Sequence, residues 1–116
     1  WEARADPKSM ELFDLLLDIV NSITVPRITY NKGHIAIGTS GRNFLWCHPR
    51  KSPRIYFELR VGEERENLFL KLGEQGVQCN RDANPDNIKI GMTIKDFEEN
   101  KETIETAIKT GEMLSR

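Results

Sequence analysis

The sequence is poor in cysteine, in long apolar runs and, across its middle, in acid. Its two cysteines, Cys47 and Cys79, form no CxxC pair and no Cys/His pair at zinc spacing. Cys47 adjoins His48, but neighbours on a strand point to opposite faces, which suits neither a shared metal nor a thiol–base pair. We therefore expect two reduced thiols of a cytoplasmic protein, with no metal and no other cofactor. The longest apolar runs, such as Leu15–Leu17, fall far short of a membrane span. The polar opening WEARADPKSM does not read as a signal peptide. It starts on Trp rather than Met, and we expect a segment excised from a longer protein. Gly33, Gly38 and Gly41 sit in turn contexts, so no glycine-rich phosphate loop is present. A chain of 116 residues is expected to form a single domain, 1–116, that folds without disulfide or metal staples.

No Asp or Glu occurs between Asp18 and Glu58. Within that gap lie Arg27, Lys32, Arg42, Arg50, Lys51 and Arg54. From Gly62 to Arg116 twelve acids face eight Lys and Arg, so the net charge of −1 hides a polarised chain. A basic middle suggests a negatively charged partner. The competing explanation is a basic hairpin neutralised by acidic helices of the same domain.

The elements follow from periodicity and punctuation. Asp6-Pro7 opens a helix, with Asp6 as N-cap and Pro7 at the first helical position. Met10, Phe13, Leu16, Leu17 and Val20 give it an apolar stripe, and Val25-Pro26 stops it near Ser22. Short strands are expected over Ile28–Tyr30 and His34–Gly38, then Asn43–His48. After the basic loop Pro49–Pro53, Ile55, Phe57, Leu59 and Val61 alternate with Arg54, Tyr56, Glu58 and Arg60, the first set facing the core. Glu63–Glu74 reads as a helix ended by Gly73 or Gly76. Val77–Cys79 is a candidate short strand, NRDANPDN a turn-rich loop, and Ile88–Ile94 the last strand. A long helix follows, opening at Thr93 or at Lys95-Asp96. The fold class expected is α+β: an antiparallel sheet of about four to five strands, with an N-terminal helix, a middle helix and a long C-terminal helix.

Trp1-Glu2, Tyr30-Asn31-Lys32, Asn43-Phe44, Pro49-Arg50-Lys51 and Glu58-Leu59-Arg60-Val61 form a recurring set of short motifs. With Gly76-Val77 and Ile94-Lys95-Asp96, they make the chain resemble the uncharacterised prokaryotic domain of unknown function 5655 over nearly its full length. The chain departs from the family's pattern in the loop Arg81–Asn87, which lacks an expected aromatic, and no family role is carried over to that loop. The resemblance implies a fold and a context: such domains commonly sit at the end of larger proteins, some beside nuclease-like or helicase-like partners, and some are described as transport proteins.

The residues themselves suggest a binding surface. Arg54, Tyr56 and Arg60 lie opposite the expected core, with His34. If Leu45 and Cys47 point inward, Phe44, Trp46 and His48 join them. Cations there can neutralise phosphates and aromatics can stack on bases, and the loop Pro49–Pro53 can reach a backbone or groove. The expected nucleic-acid-binding residues are Arg42, Trp46, His48, Arg50, Lys51, Arg54, Tyr56 and Arg60. The opposing possibility is that Phe44 and Trp46 fill the core, as large aromatics usually do. A restriction-type nuclease needs two carboxylates and a Lys. Glu58-Leu59-Arg60 supplies one acid and the wrong base, so Glu58 is expected in a cross-strand ion pair, and no catalytic residue is assigned. In the same way the Asp82–Asp86 loop reads as Asx-turns rather than a calcium loop. The function expected is a non-catalytic accessory module of a larger nuclease, restriction or repair protein that presents a basic sheet face and hairpin loop to DNA or RNA. The alternative is a protein–protein interaction or homodimerisation module using an aromatic sheet face.

Overall fold

The computed structural model describes Trp1 and residues 3–116; Glu2, part of the opening Trp-Glu motif, lies outside the described residues. Helix α1 spans Pro7–Ile23, and the Asp6 side chain accepts from the Lys8 amide at 2.8 Å. Four strands follow as an antiparallel meander: β1 (Arg27–Tyr30), β2 (Ile35–Gly38), β3 (Asn43–Pro49) and β4 (Ile55–Arg60). A 3-10 turn over Gly62–Glu64 leads into α2 (Arg65–Glu74). That helix ends in a Schellman arrangement. Gly76 takes φ 74°, the Val77 amide donates to the Leu72 carbonyl and the Gly76 amide to that of Gly73, so Gly76 rather than Gly73 is the terminator. Strand β5 (Gln78–Arg81) pairs with β6 (Asn87–Met92), and β6 slots in beside β4.

Among the described residues the chain is α+β, a six-stranded antiparallel sheet in the order β1-β2-β3-β4-β6-β5 with four α-helices. Six strands exceed the four to five expected. The additional strand is β5, QCNR, a short polar edge segment that lacks the apolar alternation of a central strand and overlaps the candidate Val77–Cys79. The expected long C-terminal helix is also corrected, because it is two helices, α3 (Ile94–Glu99) and α4 (Lys101–Leu114). Thr93 and Asp96 form a reciprocal capping box at its start. Asn100, at φ −122° and ψ 17°, breaks the run, with its side-chain amide donating to the Asp96 carbonyl at 2.9 Å.

One face of the sheet is apolar and covered. Ile35, Ile37, Leu45, Cys47, Ile55, Phe57, Leu59, Ile88, Ile90 and Met92 are each at most 1% exposed. They join Leu12, Leu16 and Val20 of α1, Leu72 of α2, Phe97 of α3 and Ile104 and Ile108 of α4 in one core. Gly111 brings α4 close to the sheet, for a Cβ there would lie 2.7 Å from the Arg60 carbonyl oxygen. Helices therefore form a layer on one side. The other face carries half-buried and exposed polar and aromatic side chains, and among the described residues no helix is long and apolar enough to cross a membrane.

Candidate nucleic-acid interface

The uncovered face is organised by strand register. One row crosses all six strands: Thr29, Ala36, Trp46, Glu58, Lys89 and Asn80 are consecutive cross-strand partners. A second row, two residues along, runs His48, Tyr56, Gly91 and Gln78, with the His34 ring 5.5 Å from that of His48. Because strand side chains alternate, these rows share one face and Leu45 and Cys47 take the other. Trp46 and His48 accordingly lie outward and half-buried.

Phe44 does not join them. The β2–β3 register shifts there, with Ile37 opposite Leu45 but Gly38 opposite Asn43. The bulge leaves Phe44 without a partner and turns it inward, where it is fully buried and near Gly111 of α4. The expectation that Phe44 follows Trp46 is corrected by this one extra residue.

Each outward aromatic carries an arginine from its own chain. The Arg60 guanidinium lies 5.8 Å from the Trp46 ring centroid, and that of Arg50 lies 5.1 Å from Tyr56. Arg60 also donates to the Asn43 carbonyl at 3.2 Å. Tyr56 leans across Gly91, where a Cβ would stand 2.6 Å from its ring. The basic loop is pinned through its backbone: the Arg50 amide donates to the buried Ser9 hydroxyl at 2.9 Å, and its carbonyl accepts from the Asp6 amide at 2.7 Å. The side chains of Arg50 and Lys51 are left exposed. Arg54 reaches the Gly91 carbonyl at 3.4 Å. Arg42 stands apart. It precedes a seven-residue strand whose far end is about 24 Å away at an ordinary rise, and it donates to the Leu114 carbonyl at the end of α4, a favourable place for a cation. The structure thus brings together Trp46, His48, Arg50, Lys51, Arg54 and Tyr56, with Arg60 joined to them through Trp46, and sets Arg42 at the other end of the sheet.

The face has an acidic centre. Glu58 faces Lys89 across the strands, yet the expected Glu58 ion pair is not formed, because Lys89 bonds Asp82 at 3.3 Å. Glu58 instead accepts from the Asn87 side-chain amide at 2.7 Å. Burial, reinforced by the Asp82 charge, raises the Glu58 pKa above the usual carboxylate range. Asp82 is held low: burial opposes this, but its polar surroundings, among them the Lys89 ammonium and the Asn84 amide, outweigh it. Burial, then Arg50 and His34, lowers the His48 pKa, so its neutral ring offers a flat surface rather than a charge at neutral pH. Asp82, Asn87, Lys89, Gln78 and Asn80 were not expected at the site. Their only signal is alternation along β5 and β6, which assigns a face but not a neighbour. Asn84 caps the loop between those strands by an Asx-turn to the Asp86 amide at 2.9 Å.

Among the described residues, all six ion pairs lie between Arg65 and Arg116. None involves Arg27, Lys32, Arg42, Arg50, Lys51 or Arg54. The arginines with polar partners use oxygens that carry no full charge: Arg27 reaches the Thr39 carbonyl, Arg42 that of Leu114 and Arg54 that of Gly91. Comparison with known proteins finds no family model that matches the chain and no curated protein that does.

Proposed function

We propose that this chain is a non-catalytic, nucleic-acid-facing module, and that it serves a larger nuclease, restriction or repair protein to which it is covalently joined. The observation that carries the reading is the charge arrangement. Six cations of the acid-free stretch are left without an ion pair among the described residues, and every ion pair found there lies within the acidic half. This speaks against internal neutralisation as the reason for the basic middle. An unpaired cation costs self-repulsion, which a polyanion relieves with release of its counterions. The outward Trp46 and Tyr56 add stacking surfaces between the cations, and the kinship with the domain of unknown function 5655 family and a cytoplasmic location belong to the same reading.

The test is a salt titration of binding to labelled single- and double-stranded oligonucleotides. Affinity should fall steeply with salt, and Arg50→Glu, Lys51→Glu and Arg54→Glu combined should abolish it. Absence of binding at low salt, with dimers in solution that Trp46→Ala dissolves, would turn the assignment to a homodimerisation face.

A further inference from the structure

We propose that the depression around Glu58 is a subsite for one unstacked base bearing an exocyclic amino group, so that the module takes single strands and prefers cytosine to thymine. This rests on the nucleic-acid reading above and adds to it a substrate class. Two adjoining hollows open on the uncovered face and share Glu58 and His48. One, of about 230 Å³, is also bordered by Tyr56, Lys89 and Gln78. The other, of about 200 Å³, is also bordered by Trp46 and His34. Gly91 contributes no side chain to this row, and the Tyr56 ring lies over it, where a Cβ would stand 2.6 Å away.

The floor is chemically asymmetric. Glu58 is an acceptor held in place by the Asn87 amide at 2.7 Å. Its cross-strand neighbour Lys89 is a donor about 5 Å along the sheet, on the scale of one base edge. Cytosine presents an N4 amino donor and, beside it, the N3 and O2 acceptors. Glu58 can accept from N4 while Lys89 donates to N3 or O2. Thymine would turn its O4 carbonyl toward the carboxylate, acceptor against acceptor. A carboxylate accepting from cytosine N4 is an established readout, but in a duplex the Watson–Crick edge is occupied, so only a splayed strand can enter. Trp46 and Tyr56 offer stacking, and their arginines can move to the phosphates. A stacked base is held more strongly than an exposed cation–π contact, so the exchange is favourable.

The experiment measures anisotropy of labelled oligo-deoxycytidine and oligo-thymidine of about ten nucleotides, within the range of single-strand site sizes, on the intact chain at about pH 8, well above the ordinary carboxylate range. Wild type should bind the cytidine strand about tenfold tighter, within the range for one good base contact. Glu58→Gln should bring the ratio to about one and leave the salt dependence unchanged. An independent readout in the wild type is the NMR signal of the Asn87 side-chain amide, which should shift with the cytidine strand and not with the thymidine strand. Equal, salt-dependent affinity for both strands would overturn the pocket while sparing the interface. Preference for thymidine, or a preference that survives Glu58→Gln, would overturn it as well. Binding to neither strand at low salt would remove both the pocket and the reading on which it rests.

Discussion

Single residues decide what the uncovered face is made of. Phe44 and Trp46 have the same strand parity, yet a bulge buries one and leaves the other outward. Glu58 has the most consequential titration there. Its pKa is raised, so the stability it contributes is complete below the ordinary carboxylate value and is lost as pH rises through the raised one. Asp82 behaves oppositely: its lowered pKa gives stability that is present at neutral pH and lost on acidification. Glu58→Gln keeps an acceptor for Asn87 and removes the charge. The melting temperature of the variant relative to wild type should therefore be higher at about pH 7 than at about pH 4. A gap that does not change between the two would show that the Glu58 charge is not opposed by its surroundings.

Elements are held by close approach as much as by apolar stripes. Gly111 lets α4 sit against the backbone of β4, and a methyl there would meet the Arg60 carbonyl oxygen at 2.7 Å. Gly73, in α2, has nothing within 4 Å of the same position. Both glycines cost helix propensity by about 1 kcal/mol relative to Ala, so the two substitutions separate packing from propensity. Gly73→Ala should stabilise by up to about 1 kcal/mol. Gly111→Ala should destabilise by about 1–2 kcal/mol, because overpacking exceeds the propensity gain. Urea midpoints at unchanged slope are the measurement, and equal stabilisation by both would show that α4 can move away from the sheet freely. The break at Asn100 belongs to this scale too: α3 and α4 turn separately onto the core, through Phe97 and through Ile104 and Ile108.

Across the whole molecule, the cations of the acid-free stretch fall at two ends of the sheet. Arg50, Lys51 and Arg54 flank the loop after β3, Arg42 lies about 24 Å away by the strand rise, and Arg60 lies between them over Trp46. A nucleic-acid strand that crosses the face touches both ends; one that sits only on the loop does not. For a crossing strand, Lys51→Glu and Arg42→Glu should each weaken binding and each lower the salt slope by about one phosphate. Arg42 also caps α4, so its variant needs a matched melting curve. An Arg42→Glu protein that binds as wild type would confine the contact to the loop.

Much of this architecture was legible in the chain itself. The Asp6-Pro7 helix start, the Thr93 cap, the inward set Ile55, Phe57, Leu59 and Val61, and the α+β class all follow from local chemistry, because caps and alternation act between residues a few positions apart. The eight candidate binding residues could be named, but not their grouping, since parity along a strand assigns a face and never a neighbour on another strand. The outcome for Phe44 depended on a bulge against β2, and that of the last helix on a backward hydrogen bond from Asn100. The meeting of Glu58 with Asp82, Asn87 and Lys89 required β6 to insert between β4 and β5. Strand order is a property of the folded sheet, set by which apolar faces pack best together. Sequence alone therefore determined which residues could face outward, and tertiary structure alone decided which of them stand together.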